Sequence, residues 1–541
     1  MVLAGRFASS RVASNAEEYR TYLSRLYLPI SAEDEHPVVS TSDTSPENLA
    51  WLRAAYPGAR LAGIGRRELL NALEERFGVA IAEDAVEALA RTMPSLSAKT
   101  VATPAQMTLM GAFVAAFVLA LALRPHAALD LLGALASLSF VAGTLFRAVL
   151  AALGDREQRV TVTPAVEDET APVYTILVPL YHEARVLPRL IAALRELDYP
   201  KDKLDIKLIV ESDDAATASL AGTLAATGPF HVVRVPQGTP RTKPRACNYA
   251  LAFARGEFTV IYDAEDRPER DQLKRAVAKF RKGPRSLACL QARLNFYNAR
   301  ENWLTRLFAL DYSLWFDALM PGLERLGLPM PLGGTSNHFR TSALHDVAAW
   351  DPFNVTEDAD MGIRLAQCGM RVSMLESTTY EEAPTTLGRW IRQRSRWMKG
   401  YAQTWLVHTR APHSLCRRAG LAGLVSLQLF VGATVLSALL SPLLWLLFVA
   451  SFLLGGSDGQ HTSAWASGAG LLLGNAVLTW LSIVVPRRRG WRDLAPYGTM
   501  ATAYWALISI AAWRGVFQLF TRPFHWDKTE HGLSRWEPHQ P

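Results

Sequence analysis

Long apolar runs alternate with mixed segments along this chain of 541 residues, and the runs are confined to two regions. Two of them, 107–123 and 127–153, lie close together, and three more follow at 421–455, 467–485 and 498–520. A helix needs about 20 predominantly apolar residues to cross a membrane. The pattern therefore predicts an integral membrane protein with a soluble unit between two groups of apolar helices.

The first two runs are joined by residues 124–126, a hairpin-length connection, and predict two antiparallel spans. Arg147 lies in the last third of the second run, and Arg156 and Arg159 follow its end. Because Lys and Arg are enriched in cytosolic loops, residues from 156 onward are predicted to face the cytosol.

The carboxyl-terminal runs fit two arrangements. The run 421–455 is too long for one ordinary span and contains Pro442. In the preferred arrangement it holds an interfacial helix and one span, 467–485 also spans, and 498–520 lies along the interface. In the other, it forms a helical hairpin and all four segments span, which places Arg487–Arg489 outside the cell.

Short apolar runs alternate with helical patterns in the soluble unit. Strands are predicted at Tyr174–Pro179, Ile206–Val210, Val232–Val235 and Phe258–Tyr262, and an amphipathic helix at Ala184–Leu197. This alternation predicts an α/β fold with a mainly parallel sheet. The G-x-G-x-x-G fingerprint of dinucleotide-binding folds does not follow the first strand, which argues against a dehydrogenase.

The region before the first span is predicted to have two parts. Residues 1–45 are polar and irregular, which is typical of a flexible start. Residues 46–103 form a small helical unit, with helices predicted at 66–77 and 83–92 from their apolar spacing.

Composition narrows the function classes. The four cysteines show no C-x-x-C spacing, which makes a zinc site or a disulfide framework unexpected. The formal net charge of +7 comes mostly from arginines that flank the apolar runs, so it does not indicate nucleic-acid binding.

Acidic residues follow two of the predicted strands, at 211–214 and 263–266. The carboxyl ends of strands in an open α/β sheet are where ligands bind. Asp263 and Glu265 form a D-x-E pair that suits a divalent cation such as Mg²⁺ or Mn²⁺, which prefers oxygen ligands and binds substrate phosphates. A pair of solvated acids is the alternative.

Two further motifs follow downstream. In Thr356-Glu357-Asp358, the aspartate is either the N-cap of the next helix or a general base for an acceptor hydroxyl. In the Q-x-x-R-W stretch 393–397, arginines suit a diphosphate and the tryptophan suits a sugar ring, although such a helix also anchors to anionic lipids.

These four motifs, in this order, resemble those of the processive inverting glycosyltransferases of family 2, typified by cellulose, chitin and hyaluronan synthases. The resemblance covers roughly residues 172–405. It implies an α/β GT-A-like cytosolic domain embedded between transmembrane helices, a UDP-sugar donor, a growing polysaccharide acceptor and a divalent metal.

The resemblance also implies roles for individual residues. Asp358 is the expected general base, and Asp263 and Glu265 are the expected metal ligands. Nucleotide binding is assigned to Glu211, Asp213, Asp214, Lys243 and Asp263. Diphosphate and acceptor binding is assigned to Gln393, Arg394, Arg396, Trp397, Glu357, Gly334, Thr335 and Ser336.

Two positions depart from the family pattern. The family usually has a second aspartate where Glu265 stands, and glutamate can still bind a metal. The segment 332–337 lacks the cysteine of cellulose synthases, which argues against a specific assignment to cellulose.

The tail and the amino-terminal unit carry weaker resemblances. Residues 524–532 resemble in position the gating loop of cellulose synthase, with Trp526, Lys528 and Thr529 as its expected contacts; an ordered tail on the membrane surface is the alternative. Residues 46–103 resemble the small amino-terminal domain of type II secretion ATPases, which suggests a regulatory or export partner, whereas plain packing is the other interpretation.

The chain is therefore expected to act as a polysaccharide synthase of the bacterial inner membrane that contacts membrane lipids and uses UDP-glucose, with UDP-N-acetylglucosamine as the rival donor. A non-processive glycolipid synthase and a non-catalytic messenger-sensing scaffold are the alternatives. The predicted units are 1–45 (flexible), 46–103 (small helical domain), 104–155 (two transmembrane helices), 156–405 (glycosyltransferase domain), 406–520 (transmembrane and interfacial helices) and 521–541 (cytosolic tail).

Overall fold

The computed structural model describes residues 18–30, 38–154, 166–454, 462–528 and 532–534. Three residues with predicted roles, Arg156, Arg159 and Thr529, lie outside these ranges.

An amino-terminal module precedes the first span. Its elements are α1 (Glu18–Arg25), β1 (Tyr27–Ile30), β2 (Val38–Thr41), α2 (Pro46–Ala55), β3 (Arg60–Gly63) and α3 (Arg66–Thr92). The strands form a sheet in the order β1-β2-β3. Leu52, Leu69, Leu73 and Phe77 are buried in the core of this module. We call residues 18–103 the N-terminal module.

Two expectations for this region are wrong. The described residues before position 45 are ordered, because Tyr19, Tyr22, Tyr27, Leu28 and Val39 are buried against α3 and its neighbours. The predicted helices at 66–77 and 83–92 are one helix, since the intervening residues continue its apolar face and Ile81 and Ala82 are buried.

Two apolar helices follow, α4 (Pro104–Leu123) and α5 (Pro125–Leu153). Thr103 and Gln106 form a reciprocal capping box at the start of α4, which satisfies backbone N–H groups that a helix end leaves without partners. The side chains of α4 are largely exposed, as expected for a surface that faces lipid.

The soluble unit is built on a mixed sheet. Its strands in the described part of the chain are β4 (Tyr174–Leu180), β5 (Leu204–Glu211), β6 (Phe230–Val235), β7 (Phe258–Ile261), β8 (Arg267–Pro268), β9 (Leu287–Phe296), β10 (Asn337–Arg340) and β11 (Arg371–Glu381). Their order is β6-β5-β4-β7-β10-β9-β11-β8.

The four predicted strands are the parallel half of this sheet, β6-β5-β4-β7. The other half is mixed, because β10 runs antiparallel to both β7 and β9, whereas β9 and β11 are parallel. The sheet is thus less uniformly parallel than its alternating pattern predicts.

Helices cover the sheet and connect its strands. They are α6 (Leu187–Arg195), α7 (Ala215–Leu224), α8 (Lys243–Leu251), α9 (Gln272–Lys282), α10 (Trp303–Leu314), α11 (Met320–Arg325), α12 (Thr341–Asp346), α13 (Glu357–Gln367) and α14 (Leu387–His408).

The remaining helices are α15 (Pro412–Ser426), α16 (Ala433–Leu454), α17 (Thr462–Arg488) and α18 (Ala501–Thr521). Gly420 breaks α15 with φ of 74°, and a π-helical segment, Leu427–Gly432, continues α15 into α16. The helical-hairpin alternative for 421–455 is therefore wrong, since this stretch runs on as one helix to Leu454.

Four helices in the described part of the chain are long and apolar enough to cross a membrane: Pro104–Leu123, Pro125–Leu153, Pro412–Ala450 and Ser467–Arg488. α18 does not meet these criteria and packs along α14. These helices are consistent with membrane association.

Close packing behind α13 generates a prediction. A methyl group added at Gly362 would lie 1.9 Å from the carbonyl oxygen of Met330, whereas Gly388 in α14 has no contact closer than 3.9 Å. We expect Gly362→Ala to cost about 1–3 kcal/mol through overpacking, and Gly388→Ala to be neutral or slightly stabilising because alanine favours helices.

Thermal unfolding midpoints of the two variants in detergent provide the measurement. Equal midpoints for the two variants would contradict the close approach of α13 to Met330.

Candidate active site

Several elements bring acidic residues to one edge of the large sheet. The carboxyl ends of β4, β5, β7 and β11 meet the start of antiparallel β10 there. Glu211 ends β5, Asp263 follows β7 and Glu381 ends β11. The first turn of α13 presents Glu357 and Asp358 to the same edge.

A cavity of about 260 Å³, which we call the edge cavity, opens at this point. Charged side chains from both halves of the sheet line it. Its acidic residues in the described part of the chain are Glu183, Glu211, Asp263, Glu265, Glu357, Asp358 and Glu381, and its basic residues are Arg241, Lys243, Arg396 and Lys528.

At one end of the edge cavity, Glu211 is buried and accepts hydrogen bonds from Arg245 at 3.3 and 3.5 Å. Burial raises the pKa of Glu211, and the arginine opposes this shift. Asp213 forms an ion pair with Arg241 at 2.8 Å. Thus Glu211 lines the edge cavity directly, whereas Asp213 contacts Arg241, which lines that cavity.

Asp214 has a different position from the one its predicted role requires. Its carboxylate caps α7 by accepting the N–H of Thr217 at 3.1 Å, and it also accepts the N–H of His182. It does not line the edge cavity. The prediction that Asp214 binds the nucleotide is therefore corrected, because its oxygens are held by backbone donors.

Lys243 links three parts of the site. Its ammonium group forms an ion pair with Asp263 and donates to the carbonyl of Gly334 at 2.7 Å. Burial by itself lowers the pKa of Lys243, but Asp263 and Glu357 outweigh this effect and raise it. Lys243 is thus a fixed positive charge among the acids.

Asp263 and Glu265 lie side by side in the edge cavity. Burial, followed by repulsion from Asp263 and Glu183, raises the pKa of Glu265 well above its usual range. The described residues contain no group of three or more His, Cys, Asp or Glu side chains that is placed to hold a metal ion. Two carboxylates still fit Mg²⁺ or Mn²⁺, since substrate phosphates and water complete its coordination.

The loop before β10 supports this acidic pair. The hydroxyl of Thr335 donates to Asp266 and to the carbonyl of Ile261, and Ser336 donates to Thr379 at 2.7 Å. Both side chains are buried, yet Thr335 lines the edge cavity together with Gly334. Ser336 lines neither cavity, so its predicted acceptor contact is corrected: its side chain supports the loop. The carbonyl of Gly334 is the group in this loop that accepts the hydrogen bond from Lys243.

The T-E-D motif begins α13. Thr356 occupies the N-cap position, so the N-cap alternative for Asp358 is wrong. One oxygen of Asp358 accepts the N–H of Ala359 at 2.8 Å. Burial raises the pKa of Asp358, and burial together with Asp358 raises that of Glu357 to about 8.

The Q-x-x-R-W motif lies on α14 and presents two faces. Gln393, Arg396 and Trp397 line the edge cavity. The Oε1 atom of Gln393 and the Nε atom of Arg396 are buried without a hydrogen-bond partner in the described part of the protein. These two polar atoms are therefore available to a ligand.

Arg394 points the other way. Its guanidinium group pairs with Asp311 and donates to the hydroxyl of Tyr504 at 2.9 Å. It does not line the edge cavity. It also packs over the rings of Phe308 and Trp397, each at 4.5 Å. Direct contact of Arg394 with a diphosphate in the edge cavity is incompatible with this position, because α14 turns it toward α10 and α18.

The tail covers part of the edge cavity. The ring of Trp526 lies 4.3 Å from the guanidinium carbon of Arg396, and Lys528 forms an ion pair with Glu183 at 2.9 Å. Further along, the N–H groups of residues 532–534 donate to Glu382. The interpretation as a tail lying only on the membrane surface is therefore wrong for Trp526 and Lys528.

A second cavity of about 220 Å³ continues from the first and extends between the apolar helices α5, α10, α16, α17 and α18. We call it the helical cavity. Its polar side chains include Arg147, Thr434, Ser437, Ser441, Asn475 and Ser509. Five residues line both cavities, namely Tyr312, Gly334, Thr356, Asp358 and Trp397.

Sequence reasoning missed several residues of these cavities. Three of them, Tyr181, Glu183 and Arg241, follow predicted strands. Their position after a strand is the same signal that predicts the acidic residues of the site. Glu381 is the last residue of β11, a strand whose parallel pairing with β9 has no local signal. Tyr312 lies on a helix of ordinary apolar pattern, which gave no indication of a site.

Residues 258–457 match a family model described as glycosyl transferase family group 2. This segment, a little over a third of the chain, is similar to family 2 glycosyltransferases. It contains Asp263, Glu265, the T-E-D motif and the Q-x-x-R-W motif. The mixed sheet with its acidic edge is the GT-A-like fold expected of such an enzyme.

Relatives agree with this family. The probable glucomannan 4-beta-mannosyltransferase 7 of Oryza sativa subsp. japonica is 26% identical over 242 residues, or 43% of this chain and 41% of that protein. The beta-monoglucosyldiacylglycerol synthase of Trichormus variabilis is 26% identical over 239 residues, 43% of this chain and 50% of that protein. The chain spans about half the length of these relatives, or less.

Among solved structures, the mannosyltransferase PcManGT from Pyrobaculum calidifontis in complex with GDP-Man and Mn²⁺ is 22% identical. The match has a TM-score of 0.46 and covers 72% of this chain and 99% of that chain.

The two faces of α14 generate a prediction that compares Arg394 with Arg396. We expect Arg396→Ala to reduce nucleotide release about 10²-fold, because a donor for developing charge is lost, with little change in thermal stability. We expect Arg394→Ala to lower the free energy of unfolding by on the order of 3 kcal/mol, because Asp311 loses its partner.

Both variants are measured for nucleotide release and for the midpoint of thermal unfolding. The assignment of the two faces is contradicted if Arg394→Ala is fully stable, or if Arg396→Ala keeps normal turnover.

Proposed function

We propose that this protein is a membrane-embedded, processive, inverting hexosyltransferase that polymerises a nucleotide-activated hexose into a β-linked exopolysaccharide. UDP-glucose is the expected donor. The observation that supports this most is the position of Asp358, which lines both cavities. A donor in the edge cavity and an acceptor in the helical cavity would meet at its carboxylate.

The donor is proposed to bind along the edge cavity. Its base lies beside Glu211 and Tyr181, with Asp213 holding Arg241 nearby, and its diphosphate lies between Lys243 and Arg396. Arginine suits this task because its planar group binds phosphate oxygens in pairs. A Mg²⁺ or Mn²⁺ ion held by Asp263 and Glu265 would neutralise charge on the departing diphosphate.

Asp358 is proposed to be the general base. It accepts the proton of the acceptor hydroxyl while that oxygen bonds to the anomeric carbon and the bond to the diphosphate breaks. The electron pair leaves with the nucleotide diphosphate, and an α-linked donor gives a β-linked product. Burial raises the pKa of Asp358, which strengthens its carboxylate as a proton acceptor.

The acceptor is proposed to leave through the helical cavity. Arg147, Thr434 and Asn475 place guanidinium, hydroxyl and amide groups between apolar helices, where polar groups are costly and usually mark a substrate path. Trp397 and Tyr312 offer ring faces at the junction, which suit a sugar. The cavity is otherwise mostly apolar, and these polar groups and ring faces are what support a saccharide acceptor over the acyl chains of a glycolipid.

The setting of the enzyme is proposed to be the bacterial inner membrane, with the catalytic domain in the cytosol. Trp526 and Lys528 are proposed to act as a gating loop over the donor, together with Thr529. The N-terminal module, from its resemblance to secretion ATPases, is proposed to serve a regulatory or export partner.

The test is nucleotide release by detergent-purified protein with each common nucleotide sugar, with Mg²⁺, with Mn²⁺ and with EDTA. Asp358→Asn is expected to slow release about 10²–10⁴-fold, because general-base catalysis contributes that much. Asp346→Asn, an exposed aspartate on α12, is the matched control and should keep the native rate.

Product analysis separates the alternatives. A long product that a β-glycanase digests supports the proposed polymer, and a single sugar on a lipid supports the glycolipid synthase. The proposal is contradicted if Asp358→Asn retains full activity, and absence of release with every donor would favour the scaffold interpretation.

A further inference from the structure

A buried turn connects the N-terminal module to the candidate active site. It comprises residues 350–354, which we call the junction turn, and a single residue, Val355, separates it from the T-E-D motif. All five of its residues, Trp350, Asp351, Pro352, Phe353 and Asn354, are buried. A buried carboxylate needs hydrogen-bond donors. Those of Asp351 lie outside the large sheet.

The first partner is the N-terminal module. The Asp351 carboxylate accepts the N–H of Ala98 at 2.5 Å and the hydroxyl of Ser97 at 3.4 Å. Arg410, two residues beyond the end of α14, donates to the carbonyls of Ser97 and Val101, so the same strip of the module is held from a second side. These bonds fasten the end of the module to the glycosyltransferase domain.

The helix α8 is joined to the same turn. Asn248 donates to the carbonyls of Trp350 and of Ala85 in the module, at 2.8 and 2.9 Å. Thr242, next to Lys243, donates to the carbonyl of Pro352 at 3.0 Å. The element that begins with Lys243 therefore contacts both the junction turn and the module.

On its other side the junction turn supports the tail. The rings of Phe353 and Phe524 pack edge to face at 5.2 Å. Gln403 of α14 accepts the N–H of Val355 at 3.1 Å and donates to the carbonyl of Pro523 at 3.1 Å. Two residues beyond Phe524, Trp526 reaches the edge cavity.

We propose that Asp351 is a positioning residue through which the N-terminal module fixes the junction turn, and with it both the catalytic loop and the tail over the donor. The module is in this view a working part of the active site rather than an appended domain. The inference rests on the proposed function for its kinetic consequence, whereas its consequence for the tail is independent of catalysis.

The test uses the full-length protein and the variant Asp351→Asn, in which an amide N–H group replaces one of the two accepting oxygens. Reactivity of the Lys528 amine toward an acylating reagent reports on the tail, with the exposed Lys282 as internal reference. We expect acylation of Lys528 to accelerate about fivefold, and kcat to fall about tenfold with a raised donor KM, for loss of a hydrogen bond to a charged group.

Two further variants complete the design. Phe353→Leu keeps the Asp351 bonds but removes the ring contact with Phe524, and should accelerate Lys528 acylation to a similar extent even if Asp351→Asn does not fold. Asp346→Asn is the matched control, since it removes an exposed carboxylate five residues away, and should match the native protein in both measurements.

The proposal is overturned if folded Asp351→Asn acylates Lys528 at the native rate or, where that variant does not fold, if Phe353→Leu does so, because the turn would then be a purely structural support. Faster acylation in a preparation without any transferase activity would retain the link to the tail and count against the proposed function alone.

Discussion

The crowding of carboxylates at one sheet edge is the constraint on which the rest of this structure depends. Burial and mutual repulsion raise the pKa values of Glu265, Glu357 and Glu381. Such a cluster needs cations within reach, and the fold supplies them from separate elements: Lys243 from α8, Arg396 from α14 and Lys528 from the tail. The attraction between these cations and the carboxylates therefore helps to hold α8, α14 and the tail at the same edge of the sheet.

The helix α14 divides this charged site from the membrane. Positions 393, 396 and 397 share one face of a helix, because residues three and four apart are neighbours, while position 394 lies about a quarter of a turn away. Gln393 and Arg396 accordingly face the edge cavity, and Arg394 pairs with Asp311 beside the apolar helices. Trp397 lines both cavities, so the spacing of the motif itself produces the junction at which Asp358 lies.

Much of the site could be predicted from the local sequence pattern, and the predictions that are wrong share one cause. Buried parallel strands read as apolar runs, so the ends of β5 and β7 and the acids after them were predictable. The predicted nucleotide contact of Asp214 and the predicted diphosphate contact of Arg394 are wrong, and Arg394 lines the helical cavity instead. A motif shows residue types, but not the direction in which each side chain leaves its element. Glu381 and the short strands at 27–30 and 38–41 depend on pairing with distant segments, for which a single sequence carries no signal.

The central claim is that a donor and a growing saccharide meet at Asp358 from two continuous cavities. The most direct measurement is a structure determined by electron cryo-microscopy after the purified enzyme has turned over its donor. The account predicts saccharide density beside Trp397 that continues into the helical cavity past Thr434 and Asn475. Lipid acyl chains filling that cavity, with saccharide confined to the edge cavity or leaving along the cytosolic surface, would contradict it.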